Sequence, residues 1–166
     1  MTKLIIIRGN SGSGKTTLAK ELQVLLGRNT MLLSQDVIRR DTMRTPDGPN
    51  SLIIPLISDM VRYGKTVCPY IIVEGIFKSD WYFKMFEELV EICEEKAAAY
   101  YFELTFEETL RRHQTRDKTQ EFGEEAMRRW WNEKDYIDFL NEQTLTATDD
   151  LSMILNKIKK DLNLLN

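Results

Sequence analysis

The chain has 166 residues, 42% of them hydrophobic and 30% charged, a size and balance that let one globular domain bury its core without staples. Its net charge of −3 argues against a broad nucleic-acid footprint, which needs a basic surface to neutralise phosphates; no stable nucleic-acid partner is expected. No stretch approaches the roughly 18 apolar residues of a membrane span, and the apolar run at residues 4–7 is too short for a secretory signal, so a cytoplasmic protein with no membrane partner is expected.

In chain order, Leu4-Ile5-Ile6-Ile7 is apolar and mostly β-branched, as in a strand buried on both faces. A glycine-rich segment follows. Residues 17–26 then carry a helical stripe at Leu18, Leu22, Leu25 and Leu26, with Gly27 as C-cap. Residues 30–33 form a second strand. Residues 34–43 read as a loop and helical turn, and 44–50 as a Pro/Gly loop. Helical spacing returns over 51–63, closed by Gly64; Pro55 kinks that helix or marks its first turn. A third strand over 70–73 ends in Glu74-Gly75. An amphipathic helix over 80–95 leads to a fourth strand at 97–102. Residues 105–113 are helical with Phe106 and Leu110 on one side, and 122–139 form a further helix carrying Trp130 and Trp131. A short fifth strand falls at 142–146. Asp149 caps a last helix striped by Leu151, Ile154, Leu155, Ile158, Leu162 and Leu165. Alternating strands and helices predict an α/β fold with a parallel sheet and helices on both faces, and ligands beyond the carboxyl ends of the strands.

Gly9-Asn10-Ser11-Gly12-Ser13-Gly14-Lys15-Thr16 matches G-x-x-x-x-G-K-[ST] in full. Such a P-loop turns successive backbone N–H groups toward a β-phosphate and adds the positive end of the helix behind it. Lys15 reaches the β/γ-phosphates and the Thr16 hydroxyl is a Mg²⁺ ligand. Thr17 and Arg112 are further candidate contacts to the nucleotide. Kinases, switches and motors share this loop. No Asn-Lys-x-Asp segment is present to read guanine.

Three further groups point to a kinase. Asp36 follows the second strand, where a carboxylate can orient an acceptor hydroxyl and take its proton; the alternative, not exclusive of it, is a helix N-cap. Arg39, three residues on, shares its helical face and either holds an anionic group of the acceptor or pairs with Asp36. Glu74 ends the third strand, the expected place for an acid near Mg²⁺ and substrate. Gly75 beside it lets the chain pass close to the nucleotide. Arg112 and Arg116 share a helical face and suit the charge of a phosphoryl group in flight; the alternative is a solvated face with i,i+4 pairs. Residues 111–128 form a short helical lid on this reading. His113, the only histidine, reads as a packing or surface residue. Trp130 and Trp131 read as packing more readily than as a stacking platform. Cys68 and Cys93 have no metal-ligand spacing and read as buried thiols.

Together these segments resemble P-loop kinases of the adenylate-kinase-like group, the subset with polynucleotide kinase domains, chloramphenicol phosphotransferases and zeta-toxin-type kinases. The resemblance rests on residues 9–16, the Asp36-x-x-Arg39 element, the strand ending at Glu74, and Arg112-x-x-x-Arg116. It implies a three-layer α/β/α sandwich with strand order 2-3-1-4-5, and ATP with Mg²⁺ as cofactors. It also implies Lys15, Asp36 and Arg116 as catalytic residues, with Arg39 on an acceptor phosphate. The expected reaction is phosphoryl transfer to a hydroxyl of a small molecule by a monomer or homodimer. The alternatives are a 5′-hydroxyl oligonucleotide kinase and a nucleotide-binding ATPase without an acceptor. Glu74 departs from the commoner Asp.

Overall fold

The computed structural model describes residues 1–94, 97–115 and 122–164. Within them five strands, β1 (Lys3–Gly9), β2 (Thr30–Ser34), β3 (Tyr70–Gly75), β4 (Ala98–Phe102) and β5 (Gln143–Leu145), form one sheet in the order β2-β3-β1-β4-β5. Every pairing is parallel. Period-two alternation along β1 divides its apolar run between two cores. Leu4 and Ile6 pack with α2 (Ile53–Val67) and α3 (Ser79–Cys93). Ile5 and Ile7 pack with α1 (Lys15–Leu26) and α6 (Leu151–Asp161). Both faces of the central strand are therefore dry, which is why it reads as an unbroken apolar run.

The parallel register places Ile7, Glu74 and Ser34 side by side, within two residues of their strand ends. Gly14 sits in the left-handed region at φ 108 and α1 starts directly behind it. The phosphate loop, β3's acid and the turn after β2 thus share the carboxyl edge of the sheet.

Several local expectations are corrected. Helix α2 runs through Gly64 to Val67, because Gly64 packs against its neighbours rather than stopping the helix. A Cβ there would lie 2.9 Å from both Ile71 and Met31. Pro55 falls in α2's first turn, where its missing N–H is harmless. Residues 122–139 are not one helix. Only α5 (Glu124–Arg129) forms, and a 3-10 turn follows at Asp138–Leu140. Beyond Trp130 the backbone is held by distant groups: Asn132 N–H donates to Asn10 Oδ1 at 2.8 Å and Asp135 N–H to Tyr101 OH at 3.1 Å. Those bonds displace a continuous helical ladder. The buried residues of α4 (Phe106–Gln114) are Thr109 and His113, with Phe106 and Leu110 only partly covered. Asp150, not Asp149, caps α6, accepting from Met153 N–H at 2.8 Å. Asp149 is already engaged with the Thr146 N–H and hydroxyl, at 2.7 and 2.9 Å. Cys93 is buried but Cys68 only partly so, and neither forms a disulfide. No described helix is long and apolar enough to cross a membrane.

Candidate functional site: a phosphate loop between two cavities

Gly12 has φ +77, and a Cβ there would come within 2.6 Å of the Thr109 carbonyl oxygen. The loop therefore needs glycine both for its turn and because α4 lies directly on it. Lys15 is 7% exposed, and its Nζ donates to the Asn10 carbonyl at 2.8 Å. Arg112 donates to the Ser13 carbonyl at 2.8 Å and to Glu108 at 2.7 Å. Glu108, between Arg111 and Arg112, has its carboxyl lowered to about 2 by hydrogen bonds from both guanidiniums.

Three oxygens meet at the end of β3. Glu74, 2% exposed, accepts on one carboxylate oxygen from the Ser34 hydroxyl at 2.5 Å and from the Thr16 hydroxyl at 3.2 Å. Oxygen donors of this kind fit a hard cation such as Mg²⁺, which takes few protein ligands and completes its shell with water and phosphate oxygens. Among the described residues no cluster of three or more His, Cys, Asp or Glu could hold a metal by itself.

The turn after β2 is a π-helix, Val37–Thr42, rather than an ordinary helical turn. Two guanidiniums, three and four residues on, reach one carboxylate. Asp36 Oδ1 lies 3.3 Å from Arg39 and 3.2 Å from Arg40. Asp36 makes no capping bond to the backbone, so its carboxylate, 51% exposed, faces outward.

A first cavity is walled by Gly12, Gly14, Lys15, Thr16 and Glu74, with His113 and Phe122 opposite. A second, of about 620 Å³, opens beside it. Asp36, Ser11, Gln35, Ile76 and Phe122 border both. Arg39 lines the second cavity and not the first. Gly9, Asn10 and Ser13 support the loop from outside the first wall, and Thr17 is exposed on α1 beyond it. Arg116 lies outside the described residues. His113 is buried, its Nε2 2.9 Å from the Phe122 carbonyl oxygen and its ring stacked on Phe122 at 4.6 Å. Trp130 borders the second cavity, whereas Trp131 packs edge-on to Phe106 at 5.4 Å.

Sequence reasoning missed four contributors. Arg8, 0% exposed at the end of β1, makes a bidentate pair with Glu142 at 2.9 Å and contacts Asp135 at 3.0 Å and the Phe77 carbonyl at 2.8 Å. Burial pushes the Glu142 carboxyl up, against the pull of Arg8. Asn10 and Asn132 exchange two hydrogen bonds, at 2.7 and 2.8 Å, and so tie the phosphate loop to the segment after α5. Gln35, 4% exposed, accepts from Phe77 N–H at 3.0 Å and donates to Tyr82 OH at 3.1 Å and to Asp47 at 3.2 Å. The close approach at Gly75 is to Gln35, 2.5 Å from a built Cβ, and this explains that glycine without a nucleotide. Ser34, the fourth, gave no signal beyond its place at a strand end. Arg8 did give one, since a charge ending a fully buried run needs a buried partner.

The chain belongs to the AAA_33 family, an AAA domain, whose model matches residues 4–134. Solved structures share its fold. The tunicamycin resistance protein of Deinococcus radiodurans aligns with TM-score 0.65 at 15% identity, covering 99% of this chain and 98% of that one. A gluconokinase from Sinorhizobium meliloti 1021 aligns with TM-score 0.62 at 12% identity over 98% and 96%. A shikimate kinase from Acinetobacter baumannii, in complex with shikimate, aligns with TM-score 0.58 at 18% identity over 99% and 95%. No curated protein matches the sequence significantly. The five-stranded parallel sheet in order 2-3-1-4-5 is thus the P-loop nucleotide-binding fold that small kinases use.

Proposed function

We propose that this protein transfers the γ-phosphoryl group of ATP to a hydroxyl of a small-molecule acceptor. The observation that supports this most is the place of Asp36. Its exposed carboxylate stands on the wall common to the phosphate-loop cavity and the larger cavity beside it. An ATPase without an acceptor has no use for a carboxylate and a second cavity at that point. The family membership and the kinase folds among the structural neighbours agree with this reading.

In this mechanism the loop amides and Lys15 hold the β- and γ-phosphates. Lys15 exchanges its bond to the Asn10 carbonyl for phosphate oxygens. Thr16 and Glu74, braced by Ser34, would hold Mg²⁺, which neutralises phosphate charge when bound. Asp36 orients the acceptor hydroxyl and accepts its proton as the oxygen bonds to the γ-phosphorus. The β–γ bridging bond breaks and ADP leaves with the electron pair. Arg112, already against the loop at Ser13, stands ready for phosphate charge, with Arg116 assigned the same task. Arg39 and Arg40 keep the Asp36 carboxylate turned to the shared wall.

The test is ADP release stimulated by a panel of alcohols. Lys15→Ala should abolish stimulated release while the circular dichroism spectrum stays unchanged. Asp36→Asn should lower kcat by on the order of 10²–10⁴-fold with nucleotide affinity retained. Turnover like wild type in Lys15→Ala, or indifference to Asp36→Asn, would overturn the proposal.

A further inference from the structure

The larger cavity carries the opposite charge to the chain. The protein's net charge is −3, yet this wall presents Arg39, Arg40, Lys78 and Arg129 against only Asp36 and Asp47. Asp47 is turned to donors of the protein itself: the Tyr82 hydroxyl, the Gln35 amide at 3.2 Å and the Gly48 N–H at 2.9 Å. Arg39 and Arg40 share the single carboxylate of Asp36, so one positive charge is left over at that end. Lys78 and Arg129 are paired only loosely, to Asp80 at 3.8 Å and Glu125 at 3.6 Å, with both acids largely exposed. Such wet pairs are weak and exchange partners readily. A concave wall with an excess of one sign concentrates ligands of the other, and guanidinium forks match carboxylate and phosphate oxygens.

The same wall holds two indoles, Trp81 and Trp130. Lys78 lies 4.9 Å from the Trp81 ring centroid. Trp130 is 39% exposed, yet it is fixed edge-on by Phe122 at 5.2 Å, and Phe122 is itself stacked on buried His113. A large ring held rigidly and left open is a platform for a flat group. Built on the phosphotransfer reading above, we propose that the acceptor is a small alcohol carrying both a flat unsaturated ring and an anionic group. The indoles take the ring, the cations take the anion, and the hydroxyl is left at Asp36 on the border with the phosphate loop. The cavity's 620 Å³ is the usual size for a ligand of that kind.

The test separates ring from charge. The probes are para-(hydroxymethyl)benzoate, para-(hydroxymethyl)phenyl phosphate, neutral benzyl alcohol, and the saturated hydroxymethylcyclohexane carboxylate. Binding is read by quenching of tryptophan fluorescence, and transfer by ADP formation. The two aromatic anions should bind about tenfold or more tighter than either comparison compound, with affinity falling as salt is added. The benzoate and the phenyl phosphate together show which oxyanion is preferred. Arg40→Gln combined with Arg129→Gln should remove the preference for the anion, so that the aromatic anions bind no tighter than benzyl alcohol. Trp130→Leu should remove the preference for the flat ring. Equal binding of charged and neutral aromatic alcohols, or of flat and saturated anions, would overturn the inference even if transfer is seen. Selective binding without transfer to any probe would instead overturn the phosphotransfer reading and leave the ligand class standing.

Discussion

A guanidinium with no exposure, at the centre of a parallel sheet, is the residue on which this site depends most. Arg8 is held by two carboxylates and a carbonyl, because an unpaired charge at that depth would cost more than the fold can spare. Arg8→Met strands the Glu142 carboxylate, whose side chain is fully buried. The single substitution should destabilise by about 3–5 kcal/mol in urea unfolding. The double variant Arg8→Met/Glu142→Leu should recover much of that loss, since apolar replacement of a whole buried pair is often nearly neutral. A double variant no more stable than the single would mean that the bonds to Phe77 and Asp135 matter more than the pair. Gly75 gives a second expectation at this scale. Gly75→Ala drives a methyl group into Gln35 and should cost about 1–3 kcal/mol. It should also loosen the Asp47 loop that Gln35 holds, read as faster hydrogen exchange at the Gly48 amide.

Among the elements, α4 has two roles. It covers the phosphate loop through Thr109 and brings Arg112 to the Ser13 carbonyl. Glu108 sets the direction of that arginine, and its ionised form is favoured by Arg111 and Arg112. An acid with a depressed folded-state pKa stabilises fully above its ordinary value of 4.5 and loses that contribution as pH falls toward about 2. The wild type's advantage in Tm over Glu108→Gln should thus be complete near neutral pH and shrink across that window. A pH-independent difference would show that the two guanidiniums do not hold the carboxylate. The π-turn after β2 matters equally. It carries Arg39 and Arg40, which both pair with Asp36. Elements with a strong local period were legible in the sequence: the five strands, α1, α3 and α6 fall close to where their patterns place them. Residues 122–139 were not legible, because the helical spacing there yields to hydrogen bonds from Asn10 and Tyr101, more than thirty residues away. The π-turn was invisible for a related reason, since no residue preference marks it.

For the molecule as a whole, strand order and handed crossovers bring residues far apart in sequence to one edge. The phosphate loop, Asp36 and Glu74 could be picked out because each follows a strand, and in a parallel sheet that position alone implies convergence. The cations Lys78 and Arg129 and the indole of Trp81 could not. They lie on helices and connections whose approach to the second cavity depends on tertiary packing. Arg40 was passed over beside Arg39, because a spacing of three residues was weighed and four was not.

The arginine at the end of β1 also governs when the molecule can be finished. Its counter-charges lie 127 and 134 residues further along the chain. During synthesis the central strand leaves the ribosome before either acid, with a charge that nothing can yet neutralise. The interior of the sheet can therefore close only after Asp135 and Glu142 have emerged. The family match stops at residue 134, just short of both. A fragment cut at that boundary would keep every phosphate-loop residue and still lack the acids its core needs, so it should not fold. Contacts between residues so far apart in sequence are slow to form, and the nucleotide site would be complete only once they close.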